Sequence, residues 1–455
     1  MVKVGFCAIA GSGMSALAQV LNYKKYDVYG SDRSFDQGKD QKNKKALQDV
    51  GIKIYPQDGS MLDKDFEALY ASTAVEDSVP DIKKAKELHI SIKHRSDLLA
   101  KIFSSYKYNI AVGGTSGKST TTAMIGYILD KSNKKPLVIN GALLKNYENQ
   151  PGIPNVILNE GNYCVIEADE SDGSIEKYTP YIAVINNISL DHKPIEELQT
   201  LFGNFAQKAT GGVILNGDCP NSKVLNNLNK NTKTFSIKNP KANFYAEKIT
   251  PIPSGTKYTF NQKEYTLNLI GAFNVANAMC AVACCSIIGI DPEESCKILE
   301  SFLGTKRRLE VLGTTRNITI IDDFAHNPDK VAASLSALKS YSGRLIVMFQ
   351  PHGFAPMRMM GKEIIDSFIE YLSSDDILML PEIFFAGGTV KRDISSLDLV
   401  NYAKRHDLSA YYFSSREELK EKILSITKPN DRIVLMGARD NSITDMGFEL
   451  LDRLK

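Results

Sequence analysis

Seven residues, Gly113-Gly114-Thr115-Ser116-Gly117-Lys118-Ser119, follow the apolar run YNIAV and precede the helix-forming run TTTAMIGYILD. The order strand, glycine loop, Lys-Ser, helix is what a nucleoside triphosphate needs. Backbone N–H groups cradle the phosphates, the Lys118 ammonium meets the β/γ oxygens, and the Ser119 hydroxyl can bind Mg²⁺. The expected ATP-binding segment is therefore Gly114, Thr115, Ser116, Gly117, Lys118, Ser119 and Thr120. The loop is one residue shorter than G-x-x-x-x-G-K-[ST], because position 112 is Val. Downstream, YCVIEADESD puts Glu167 at the end of a buried strand, where a carboxylate can partner Ser119 on a magnesium ion. Asp169, Glu170 and Asp172 read as a solvated acidic turn. A further strand, YIAVINNISLDH, delivers His192. A lone histidine is commonly structural, and imidazole is not a typical Mg²⁺ ligand, so its chemistry alone leaves both roles open.

A second glycine turn stands at the N-terminus. Gly11-Ser12-Gly13-Met14-Ser15-Ala16 fits G-x-G-x-x-G/A between a first strand and a helix, where the backbone can turn sharply and approach a diphosphate. Asp32 closes the next strand, at about the 20-residue spacing from which an acid reaches a ribose or base. The pattern does not separate a dinucleotide from a UDP-type ligand.

The elements around these motifs alternate. The segment 1–106 runs strand, turn, helix, strand, with YDVYGSD, IKIYP, the apolar FEALYASTA and the helical PDIKKAKELH. A second segment, 107–306, opens on YNIAVGG and ends at the basic Lys306-Arg307-Arg308. The third, 307–455, alternates again through ITIIDDFAHNP, RLIVMFQP, a helix around EIIDSFIEYL, DILMLP, AYYF, EELKEKIL and RIVLMGA. Alternation of this kind predicts α/β domains with parallel sheets: two Rossmann-like domains flanking a central P-loop ATPase-type α/β domain. At roughly 150 residues per domain, 455 residues also suggest about three.

Composition sets the outer limits. The chain is 43% hydrophobic and 24% charged, which excludes a disordered or collagen-like protein. Lys+Arg 55 against Asp+Glu 53 gives a net charge of +2, so no global attraction to nucleic acid or an anionic membrane is expected. Seven cysteines, with no C-x-x-C pair and no zinc spacing, point to a reducing compartment, and a cytoplasmic location is expected. Cys280, Cys284, Cys285 and Cys296 read as small core residues. The start, MVKVGFCAIAGSG, lacks the basic region and cleavage site of a signal peptide and reads as a strand. The uncharged run from Tyr265 to Ile290 contains three asparagines and many small residues, and reads as a helix buried in a large core.

Taken in order, G-T-x-G-K-[ST], E-A-D-E-S-D, N-I-x-x-D-H, G-x-x-N-x-x-N, R-R-x-E and D-D-x-A-H-N-P resemble the motif series of the Mur ligase family, over nearly the whole chain. The short P-loop is the form that family uses. The resemblance implies an ATP- and Mg²⁺-dependent, amide-forming enzyme of peptidoglycan precursor synthesis. GSGMSALAQVL, VYGSD and EADESD look most like the branch that joins UDP-N-acetylmuramate to L-alanine. It also implies residue roles. Lys118 and Ser119 would hold the triphosphate and its magnesium, Glu167 that magnesium, and His192 a second ion near the reacting carboxylate. Asn277 would read the adenine and Asp323 the ATP ribose, with Asn274 packing the helix. Arg308 would touch an ATP phosphate on domain closure, with Lys306–Arg308 near the hinge, and His326 would lie near the reacting groups. Gly11, Ser12, Gly13, Met14, Asp32, Ser72 and Thr73 would bind the UDP portion, and Asn140 the sugar side. A monomer or homodimer is expected.

Departures from the resemblance gather at the acceptor. The alanine-adding branch carries H-R-Y-x-x-x-R after Q-P, whereas this chain has His352-Gly353-Phe354-Ala355-Pro356-Met357-Arg358. Arg358 is the nearest candidate for the amino-acid carboxylate, with His352 beside it; otherwise it is an ordinary surface arginine. Phe324 stands where tyrosine is common. Three alternatives remain: a recycling ligase that attaches a murein peptide to UDP-N-acetylmuramate, a nucleotide-binding regulatory protein without ligase activity, and an NAD-linked oxidoreductase. The last explains the first glycine turn but not the P-loop.

Overall fold

The computed structural model describes every residue except 73–74, 172, 191–192, 253–254, 386–390, 439 and 441. Thr73 and His192, two of the expected site residues, and Asp172 lie outside the described residues. By contacts the chain divides into two compact units. One comprises Met1–Lys248, Tyr258–Leu267 and Val275–Thr305; the other comprises Ile249–Lys257, Asn268–Asn274 and Lys306–Lys455.

The first unit holds two α/β sheets. Its N-terminal sheet is parallel throughout, in the order Lys53–Tyr55, Asp27–Ser31, Lys3–Cys7, Phe66–Ala71, Ser91–His94. Parallel pairing follows from the helices between the strands, because each crossover returns the chain to the same end of the sheet. The second sheet has eight strands, with Tyr108–Gly113 between Ile182–Ile185 and Tyr163–Glu167. These strands are continuous apolar runs, as covering on both faces demands. One hydrophobic cluster runs through both sheets, from Val4 and Phe6 to Ala111 and Val213, and a second, including Cys7 and Leu69, packs against the N-terminal sheet. Buried polar groups stitch them together. Gln19 Nε2 donates to Asn155 Oδ1 at 3.0 Å, Gln19 Oε1 accepts from the Ile153 amide, and Asn155 Nδ2 donates to the Ser12 carbonyl at 2.8 Å.

The helix Ala272–Ile287 occupies the uncharged run. Val275 and every residue from Ala278 to Cys285 have no exposed surface, so the helix is apolar on all sides because it is buried on all sides. No helix among the described residues is long and apolar enough to cross a membrane. All seven cysteines are buried and unbridged, and burial pushes the thiols of Cys280 and Cys284 well up.

The second unit carries a six-stranded sheet in the order Glu310–Thr315, Ile318–Asp323, Arg432–Met436, Leu345–Phe349, Ile377–Pro381, Ala410–Phe413. Only the first pair is antiparallel. Its helix Phe354–Tyr371 starts well before the expected EIIDSFIEYL. The periodic signal is weak over the first turns, but Gly353, with φ +73°, turns the chain into the helix, and Pro356 in the first turn needs no donor there. Arg358 lies in the first turns of this helix.

Candidate active site

The loop Gly113–Gly117 joins the C-terminal end of strand Tyr108–Gly113 to helix Lys118–Lys131, whose first residue is Lys118 itself. Gly114 and Gly117 have φ of +126° and +84°, conformations that admit glycine readily and side chains poorly. A Cβ at Gly114 would lie 2.9 Å from the Asn187 amide nitrogen, and one at Gly117 would collide with the side-chain amide of Asn186. Those two asparagines shape the loop. Asn187 Oδ1 accepts from the Ser116 amide at 2.9 Å, and Asn186 Nδ2 donates to the Ser116 carbonyl at 3.0 Å. Thr115 donates its hydroxyl to the Ser189 carbonyl at 3.1 Å. Asn277 Oδ1 accepts from Asn186 Nδ2 at 2.8 Å and from Thr121 at 3.3 Å. Asn277 therefore stands directly behind the glycine loop, while Asn274 Nδ2 donates to the carbonyl of Ile270, just ahead of its own helix, at 2.9 Å.

Lys118 Nζ donates to the Gly114 carbonyl at 2.8 Å and to both oxygens of Glu170, at 2.8 and 3.1 Å. Glu170 is only 4% exposed, which corrects the expectation of a solvated acidic turn. Burial works against the charge on Lys118, yet the carboxylates of Glu170, Asp169 and Glu167 outweigh it and raise the ammonium pKa. Asp169 is likewise disfavoured by burial but held low by Lys118 and by the Ser171 hydrogen bonds. Beside this pair, Ser119 Oγ donates to Glu167 Oε2 at 3.0 Å, and the Gly141 amide donates to Glu167 Oε1. A hydroxyl and a carboxylate oxygen in contact are hard ligands suited to Mg²⁺, which completes its octahedron with water and phosphate oxygens. Asn140 is fully buried and donates to the Ser119 carbonyl at 2.9 Å, so it orients the start of the phosphate helix as well as bordering the site. Thr120 is buried in the same turn.

At the N-terminal turn, helix Ser12–Tyr23 begins directly after Gly11, so the amides of Gly13 and Met14 face outward from a helix start. The Met14 side chain is in the core, leaving its backbone for a ligand. A Cβ at Gly13 would press on the Arg95 guanidinium, 2.8 Å away. Asp32 Oδ2 accepts from the Ala10 amide at 2.9 Å, and Oδ1 caps the next helix through the Ser34 amide at 2.8 Å. Asp32 thus braces the glycine turn from the neighbouring strand. Ser72 closes strand Phe66–Ala71 at the same end of the sheet.

In the second unit, strand Ile318–Asp323 ends on a buried carboxylate. Asp323 accepts from the amides of Leu309 and Phe324, at 3.1 and 3.0 Å, and from the Ser334 hydroxyl at 2.5 Å. Burial raises its pKa against these hydrogen bonds. It clamps a turn in which Arg307 and Leu309 hold positive φ of 58° and 46°, uncommon for side-chain-bearing residues. Arg307 is tied to Asp322 at 3.2 Å, and the Arg308 guanidinium lies 4.7 Å from the Phe324 ring centre. Phe324 meets His326 edge-on at 5.4 Å, and His326 meets His352 at 5.4 Å. His326 Nδ1 pairs with the Phe324 carbonyl at 2.8 Å and therefore carries the proton there. Arg358 Nη1 is bound to Asp393 at 2.6 Å and to the Lys391 carbonyl at 2.9 Å.

Burial, with the charges of Lys330, His352 and Arg308, lowers the His326 pKa to about 4. It is neutral throughout the physiological range, with Nε2 able to accept a proton. Because the folded pKa lies below the ordinary 6.5, the unfolded chain binds the proton first. The stability tied to neutral His326 is present above pH 6.5 and is lost as pH falls toward 4. An NMR titration should find this imidazole unprotonated at pH 5.5; a midpoint near 6.5 would contradict the geometry.

Three family models match the chain: the Mur ligase family catalytic domain over residues 3–107, the Mur ligase middle domain over 112–285, and the Mur ligase glutamate ligase domain over 307–439. A UDP-N-acetylmuramate–L-alanine ligase of Dictyoglomus turgidum is 34% identical, the match covering 99% of this chain and 97% of that one. Its counterpart from Geotalea uraniireducens is 32% identical over 100% and 98%. Among solved structures, the UDP-N-acetylmuramate–alanine ligase of Thermotoga maritima superposes with a TM-score of 0.82 at 24% identity, covering 100% of this chain and 99% of that one. A murein peptide ligase from Psychrobacter arcticus gives 0.68 at 22%, with the same coverage.

Proposed function

This chain belongs to the Mur ligase family, the ATP-dependent amide-forming ligases of peptidoglycan synthesis, and from that premise we propose that it joins the carboxylate of UDP-N-acetylmuramate to the amine of L-alanine. The observation that carries the chemistry is the contact set of Lys118, Ser119 and Glu167 at the mouth of a glycine loop. A carboxylate does not form an amide in water, because its leaving group is too poor. Attack of a carboxylate oxygen on the γ-phosphorus of ATP expels ADP and leaves an acyl phosphate. The acceptor amine then attacks the carbonyl carbon, loses a proton, and the C–O bond to phosphate breaks.

No protein nucleophile is needed, so the residues position anions and neutralise them. The loop amides and Lys118 hold the β- and γ-phosphates, with the Lys118 ammonium passing from Glu170 to phosphate oxygen. Mg²⁺ held by Ser119 and Glu167 would supply further charge neutralisation on the triphosphate. Arg308, fixed against Phe324, is assigned to an ATP phosphate. Neutral His326 is assigned to the proton lost by the amine. Asp323, already engaged by two amides and a hydroxyl, holds the turn that carries Arg308. The N-terminal turn with Asp32 behind it suits the UDP diphosphate. Seven unbridged cysteines suit a reducing compartment, and we assign the enzyme to the cytoplasm.

The test is release of ADP with UDP-N-acetylmuramate and Mg²⁺, compared across single amino acids and a murein tripeptide. Release that depends on L-alanine is the expected result. Dependence on the tripeptide instead assigns the recycling reaction. ATP binding without release under any acceptor assigns the regulatory role.

A further inference from the structure

The acceptor end of the second unit holds several cations, and most are committed. Arg358 is paired with Asp393 and the Lys391 carbonyl, and Lys391 is paired with the same Asp393 at 3.0 Å. Arg392, between them, is different. Its guanidinium lies 4.2 Å from the ring centre of Phe385 and 5.8 Å from that of Phe354, and it makes no ion pair among the described residues. Stacking on aromatic faces orients a guanidinium without using its N–H donors, which remain available in its plane.

This arginine stacks on two rings that flank the C-terminal edge of the sheet. Phe354 follows the strand Leu345–Phe349 and Phe385 follows the neighbouring Ile377–Pro381, both at the C-terminal ends of parallel strands. That edge is where open α/β sheets receive ligands. The two segments are fastened together. The Gly353 amide donates to the Phe384 carbonyl at 3.0 Å, and the Phe384 amide to the Pro351 carbonyl at 2.8 Å. The His326–His352 pair lies on the same edge, with His352 bridged to Phe384. Gly353 itself, at φ +73°, supplies no side chain, and any other residue there would be strained.

We propose that Arg392 is the specificity-determining residue that binds the carboxylate of the amino-acid acceptor, and that Arg358 with Asp393 holds its loop in place. The proposal rests on the ligase reading. Arg358 is a positioning residue, because its donors already satisfy a carboxylate and a carbonyl of the chain itself. Arg392, stacked on two rings and in no ion pair among the described residues, keeps its donors to meet an incoming carboxylate in a bidentate contact.

The test compares L-alanine with L-alaninamide, which lacks the carboxylate. Arg392→Ala should lower kcat/KM for alanine by about 10- to 100-fold, the range for a charged hydrogen bond, and leave alaninamide unchanged. Arg392→Lys should recover part of the loss. Arg358→Ala and Asp393→Ala should each weaken alanine selection, and the double variant should be no worse than either. An unchanged alanine-to-alaninamide ratio in Arg392→Ala overturns the assignment. So does an Asp393→Ala variant that improves alanine selection, since that would mark Arg358 as the contact once released. Wild-type protein that releases no ADP with alanine overturns the alanine-ligase reading instead, a result that does not depend on any variant.

Discussion

Replacing Lys118 with alanine lowers the rate of ADP formation by about 10³-fold, the scale lost when a preorganised charge is removed from a transferring phosphoryl group. The ammonium is the first residue of its helix and lies on the loop carbonyl of Gly114, so no neighbouring cation can take its place without moving the loop. The variant also has a structural consequence. Glu170, 4% exposed, loses its counter-ion, and an uncompensated buried charge costs about 3–5 kcal/mol unless it takes up a proton. Lys118→Ala alone should therefore be less stable as well as inactive. Adding Glu170→Gln removes the orphaned charge, and the double variant should regain stability while remaining inactive. Steady-state ADP release and urea unfolding separate the two effects. Near-normal turnover in either variant would sink the assignment of Lys118.

The same pair shows what one-dimensional reading reaches and where it stops. Lys118 and Ser119 announce themselves because strand, glycine loop, lysine and helix are contiguous, and their chemistry depends on local backbone geometry. The alternating apolar runs gave the α/β class for the same reason: period and turn chemistry are local properties. Glu170 lies three residues beyond the end of the strand Tyr163–Glu167, among other acids, and nothing in the string EADESD says which carboxylate folds inward. Its burial follows from Lys118, which is 52 positions away. Asn187 stands in the sequence as the first residue of N-I-x-x-D-H and Asn186 as its predecessor, with nothing to show that both mould the phosphate loop. Gln19 and Asn155 join two sheets across 136 positions and leave no pattern at all. Arg358 is the clearest case. The family resemblance makes it the nearest candidate for the acceptor carboxylate, and the fold sets it against Asp393 and leaves Arg392 stacked on rings that come from two different strands' ends.

Glu167→Gln should lower turnover by about 10²-fold and raise the Mg²⁺ concentration for half-maximal rate by at least about 10-fold, the usual price in affinity for a weakened metal ligand. The substitution is close to isosteric. The side-chain carbonyl can still accept from the Gly141 amide, and the Ser119 hydroxyl keeps a neighbour at the position of Oε2. What disappears is one negative charge at an oxygen pair otherwise suited to a hard cation. A purely structural role for Glu167 would therefore leave the magnesium dependence of the glutamine variant untouched, and that result would remove Glu167 from the metal site. Alanine is the less informative change, because it also frees the Gly141 amide and the segment behind it. Titrating Mg²⁺ against ADP release at saturating ATP reads the charge alone. High magnesium should restore part of the lost rate in Glu167→Gln and none of it in Lys118→Ala, since an added cation can reoccupy a weakened site but cannot replace an ammonium fixed to the loop.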